Sequence, residues 1–171
     1  MNKVRLIALL SLCTLMLYAC GYRFAGTGAF PDNVDKIFIE VFENRTSKTG
    51  IERVVTNQLI FEFTRQRERS LAGDAGSADA ILKGVIQTVR TNTISRVGTE
   101  VANEREVIMS VDMRLINQSG DVIWIAKGLS DRQAYDVSEL KLENDRNESI
   151  AIARLSERIS ERIFSRLTDD F

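Results

Sequence analysis

The sequence predicts an α+β fold: a two-layer sandwich with two helices packed on one face of a four-stranded, mostly antiparallel sheet, in the order β-α-β-β-β-α. Three observations lead there. Apolar residues recur at helical spacing in two stretches, about 50–68 and 146–167. Strict alternation runs through Val107, Met109, Val111, Met113 and Leu115, the period of a strand with one buried face. A short β-branched and aromatic stretch precedes the first helical pattern.

Taken in order, the chain opens with Lys3 and Arg5, then an apolar run from Leu6 to Leu17 broken only by Ser11, Cys13 and Thr14. Leu17-Tyr18-Ala19-Cys20 closes it as a lipobox, so residues 1–19 read as a lipoprotein signal peptide. The run falls short of the ~20 residues that span a bilayer. Cys20 becomes the mature N-terminus, carrying a diacylglycerol thioether and an N-acyl chain. At ~0.8 kcal/mol per buried methylene, two or three chains anchor durably where one does not. Residues 20–35, with the sole proline Pro31, read as lipid anchor and tether, and 36–171 as a single domain.

Lys36 to Phe42 is the expected first strand and Glu43 to Lys48 a polar loop. Thr49-Gly50-Ile51-Glu52 has the form of a capping box opening a helix over 50–68. Ile51, Val55, Leu59 and Phe63 make its core stripe; Ile60 and Phe61 fall off that stripe, so a second covered side is expected. Residues 69–79 read as loop. Ala80 to Arg90 reads as a strand without clean alternation, and 90–103 as polar chain ending in a hairpin turn. The alternating strand follows, then the turn Asn117-Gln118-Ser119-Gly120-Asp121 and a returning strand from Val122 to about Tyr135. Asp145 and Glu148 carry capping spacing and open the last helix, whose core stripe is Ile152, Leu155, Ile159, Ile163 and Leu167. Thr168 to Phe171 reads as a frayed tail. The strand-helix-strand crossover is expected to be right-handed.

Composition narrows function. The 171 residues carry a net charge of −1 and no histidine, and Cys13 leaves with the signal. Serine–histidine and cysteine–histidine nucleophiles, histidine or cysteine zinc sites and internal disulfides are thereby excluded from the mature chain. Gly26-Thr27-Gly28 and Gly73-Asp74-Ala75-Gly76 lack the lysine and strand-to-helix context of a phosphate loop. No basic excess marks a nucleic-acid binder. The Asn-X-Ser/Thr triplets at Asn44, Asn117 and Asn147 have no glycosylation machinery to meet in a bacterial lipoprotein. The chain reads as a non-enzyme, with carboxylate-pair or serine–lysine catalysis formally open.

Several segments resemble the LPS-assembly lipoprotein family LptE: Cys20-Gly21-Tyr22-Arg23-Phe24; Lys36 to Thr46; Gly50-Ile51-Glu52 with Thr56-Asn57-Gln58-Leu59; Ala78 to Gly84; and Gly120-Asp121-Val122-Ile123-Trp124 with Tyr135. They cover nearly all of the mature chain in register. Over 69–78 relatives often carry an extra β-like stretch where this chain has small residues, which leaves an edge strand there open. The resemblance implies a plug inside an LptD-like outer-membrane β-barrel, assisting barrel assembly and placement of lipopolysaccharide in the outer leaflet. Its implied partners are that barrel, lipopolysaccharide and the membrane through the anchor. No cofactor is implied beyond the acyl groups on Cys20. Gly21 in place of aspartate after the anchor resembles lipoproteins sorted to the outer membrane. In the family, basic residues at the hairpin tip and just before the last helix are implicated in contacting lipopolysaccharide, and Arg96 and Arg146 are the nearest matches here. Arg90 and Arg105 flank the same hairpin and share the expectation. Arginine suits the ligand because its planar fork pairs bidentately with phosphate. The competing readings are a pilotin or scaffold lipoprotein for another envelope assembly and, further off, a carboxylate-dependent hydrolase, which needs two acidic residues meeting in a cleft.

Overall fold

In a computed structural model, which describes residues 30, 34–94, 104–138 and 140–169, two helices cover one face of a mixed sheet. Strands β1 (Ile37–Ile39) and β2 (Glu43–Asn44) both run parallel to β3 (Ala80–Ile94). Helix α1 (Ile51–Arg67) makes the crossover between them. β4 (Glu104–Asn117) and β5 (Val122–Asp136) follow antiparallel, giving the order β1-β3-β4-β5, and α2 (Lys141–Asp169) returns over the sheet.

The edge expected as one strand over 36–42 is split in two. Phe42 turns its ring into the core, and its amide donates to the Thr56 hydroxyl of α1 at 3.0 Å rather than to β3. The ring lies against Gly84, where any Cβ would overlap it. β2 therefore occupies residues read from sequence as loop, with the amides of Glu40 and Arg45 bonding β3 on either side of the break. Phe30 and Val34, read as tether, are buried in the core.

In α1 the four stripe residues are buried as expected. The capping box is replaced: Gly50, at φ +85°, closes the first turn through its carbonyl, while the Glu52 carboxylate accepts from the Asn44 side chain at 2.9 Å. Ile60 and Phe61 are exposed, so the expected second covered side is absent among the described residues. Across 68–79 the chain makes two short 3-10 turns and one parallel bridge, Leu71 to Ile37, in place of an edge strand. β3 alternates after all, with Ala80, Leu82, Gly84 and Ile86 buried. Glycine is silent in a hydrophobic pattern, and a bulge between Ile86 and Thr88 shifts the register, which hid the period.

All five alternating residues of β4 are buried, and the turn at Gly120 (φ +91°) delivers β5 as expected. α2 departs at both ends. It begins at Lys141, with Ser138 accepting from the Leu140 amide and donating to Glu143, so Asp145 lies inside the helix rather than capping it. Nothing in 141–145 breaks a helix. At the other end Thr168 is buried and bonds the Phe164 carbonyl, so the expected frayed tail is helical through Asp169. Between the layers, Phe63 stacks on Phe30 at 6.2 Å and meets Phe164 edge-on at 4.8 Å, joining α1 to α2.

Candidate functional site

The sheet has two unlike faces. Val107, Met109, Val111, Met113 and Leu115 of β4 face the helices, so the residues between them face the other way, where no described element covers them. The described candidate site residues divide between these two sides of the sheet.

Thr91 pairs with buried Val107, and its hydroxyl bonds Glu148 of α2 at 3.2 Å, which fixes Thr91 on the helix side. Arg105, opposite Thr93 and Tyr135, shares that side and is half-buried. Arg146 sits exposed on α2, two residues before Glu148, at the same end of the sandwich. Arg90, opposite Ile108, projects from the open face. The fold therefore gathers Arg105 and Arg146 at one end of the helix layer and puts Arg90 on the far side of the sheet. Arg96 and Cys20 lie outside the described residues.

Beside that end, β5 and α2 enclose a cleft of about 260 Å³ lined by Tyr135, Asp136, Asn147, Ile150 and Arg154. Farther along, two α2 arginines clamp β5. Arg158 reaches Asp131 at 3.0 Å and the Gln133 side chain at 2.6 Å, and Arg162 approaches Asp131 at 3.7 Å. Burial pushes the Asp131 carboxyl up, but the Arg132 amide and the two guanidinium groups outweigh it and hold its pKa below the ordinary aspartate value. At the start of β1, Asp79 accepts from the amides of Lys36 and Asp35, which lowers its pKa likewise.

The open face carries a second concavity that the sequence reading missed, a groove of about 290 Å³ bounded by Arg45, Lys83, Arg114 and Lys127 over Val85 and Ile125. Its residues come from four separate segments, and only strand register brings them together. Among the described residues, no three acidic, cysteine or histidine side chains gather into a metal site, and no helix is long and apolar enough to cross a membrane.

A family model described as "LptE: Lipopolysaccharide-assembly" matches residues 34–167. A search of curated proteins by sequence finds no match. Among solved structures, lipoprotein B from Nitrosomonas europaea is similar at TM-score 0.58 and 12% identity, over 86% of this chain and 90% of that one. A minor lipoprotein from Acinetobacter baumannii is similar at TM-score 0.53 and 15% identity, over 80% and 93%. The rare lipoprotein B from Shewanella oneidensis is similar at TM-score 0.50 and 18% identity, over 75% and 94%. At such identities these structures speak for the fold alone.

Proposed function

The chain belongs to the LptE family of lipopolysaccharide-assembly proteins, and from that premise we propose that it is the non-catalytic plug of an outer-membrane lipopolysaccharide translocon. In this reading Cys20 is acylated and holds the protein at the inner surface of the outer membrane. The sandwich sits in the lumen of an LptD-like β-barrel, assists its assembly, and helps lipopolysaccharide pass into the outer leaflet. The observation that carries the reading is the family match over the whole sandwich rather than over one motif. The surface chemistry supports it: a barrel lumen is polar, and the outer side of α2 presents exposed Arg154, Glu157, Glu161 and Arg166, with mixed charges on the open sheet face. No cofactor enters beyond the acyl groups on Cys20.

Purification of the tagged full-length protein in mild detergent tests the assignment. A large β-barrel protein should co-purify in defined ratio; a secretin ring in its place would overturn the plug and favour the pilotin reading. Metabolic labelling with a fatty-acid analogue tests the anchor independently. Label should enter the wild type and be lost in Cys20→Ala, and equal label in both would remove Cys20 as the acylated residue.

A further inference from the structure

We propose that the groove on the open sheet face binds an acylated amphiphile with a phosphate head, the phosphate lying between Arg114 and Lys127 and the first part of the chain over Val85 and Ile125. The proposal rests on the lipopolysaccharide reading above and gives its lipid contact a place different from the one the family resemblance implies.

Charge is the first argument. The carboxylates around the groove are already engaged: Glu43 pairs with Arg45 at 2.8 Å and Glu40 with Lys83 at 2.8 Å. Asp112 accepts from the Gln87 side chain at 2.8 Å and the Gly128 amide at 2.7 Å. Among the described residues no carboxylate lies within ion-pair distance of Arg114 or Lys127, and Glu43, held by Arg45, acts on Arg114 only from farther off. Lys83 stands directly opposite Arg114 on the neighbouring strand. Glu40 already answers the Lys83 charge, so an anion seated beside Arg114 supplies the acceptors that its guanidinium fork lacks.

Apolar surface is the second. Ile125 follows Arg114 in the same cross-strand row and is 55% exposed, and Val122 beside it is 46% exposed. Large aliphatic residues standing open beside Arg114 and Lys127 suit a ligand that joins an apolar chain to an anionic head. A free phosphate would leave that floor wet. The groove holds a head group and the start of a chain, not a whole glycolipid, so the remaining acyl surface must lie elsewhere.

Full-length protein in a nonionic detergent is titrated by calorimetry with three probes: diphosphoryl lipid A, the same glycolipid stripped of phosphate, and inorganic phosphate. Lipid A should bind and the other two should not. Losing two charge-assisted contacts in Arg114→Glu plus Lys127→Glu should weaken binding by about tenfold or more, with melting unchanged. If that pair melts early, Arg114→Gln plus Lys127→Gln replaces it with the same expectation. Wild-type affinity in the folded groove variant overturns the proposal. So does equal binding of the phosphate-free glycolipid or of inorganic phosphate, or loss of binding in Arg90→Glu plus Arg146→Glu with the groove variant intact. Barrel co-purification of the same variants reads the plug assignment separately, so failure of the groove is distinguishable from failure of that reading.

Discussion

Single residues decide where this fold is tight. Gly84 is required not for backbone freedom but for space, since the Phe42 ring occupies the volume a side chain would need. Gly84→Ala should destabilise by ~1–3 kcal/mol through overpacking, measured by chemical denaturation, and adding Phe42→Leu should recover part of the loss. Asp131 is the second such position. Its folded pKa lies below its unfolded value, so its contribution is present above the unfolded pKa and is lost as pH falls through the folded one. Wild-type stability should therefore drop on the acid side, below about pH 4. Asp131→Asn should lower neutral-pH stability by about 1 kcal/mol, solvent screening keeping it at the low end, and should flatten that acid limb in melting curves across pH. Neither Phe42 over Gly84 nor Asp131 between two arginines was legible in the sequence, because each joins residues more than 25 positions apart.

At the scale of elements, periodicity carried most of the information. The stripes of both helices and the alternation of β4 were readable because each element buries one face, and burial imprints its period on the residues. Ile159 is fully buried mid-stripe in α2, and Glu157 faces solvent. Ile159→Ala should cost ~2–5 kcal/mol, whereas Glu157→Ala should stay within about ±0.5 kcal/mol. Equal melting shifts would mean the helix face is misassigned. Element ends were less legible. Thr49-Gly50-Ile51-Glu52 offers a capping box, but the Asn44 side chain on β2 takes the Glu52 carboxylate, so tertiary structure outbid the local signal. The last helix starts before Asp145 because Ser138 offers an earlier cap next to the end of β5.

For the whole molecule, the question is how a sheet with a free edge avoids adding strands. Along the second half of β5 four alternate carbonyls are taken by side-chain donors: Ser130 by Arg162, Arg132 by Arg158, Ala134 by Gln133 and Asp136 by Asn147. Three of those donors come from α2, so the helix that completes the core also closes the edge, a recognised defence against edge-to-edge pairing. Arg158→Ala plus Arg162→Ala should leave the helix intact by circular dichroism yet promote self-association in analytical ultracentrifugation. A variant as monomeric as wild type at equal concentration would show that the two arginines do not guard the edge.

The sequence by itself determined the class of fold, the order of its main elements and the buried faces of both helices and β4, since these follow from local periods and turn chemistry. It also sufficed for membership of a lipopolysaccharide-assembly family, through motifs spread in register along the chain. Only the tertiary structure decided which charges meet. Lys83, Arg114 and Lys127 are ordinary solvated residues when read along the chain, and they become one groove through the pairing of β3, β4 and β5. Arg90 and Arg105, neighbours by the sequence reading, lie on opposite faces of the sheet. The physical reason is the two-residue period of a strand. Which face a residue occupies depends on the parity of its position and on every bulge before it, and bulges are set by contacts between strands rather than by the residues of any one of them.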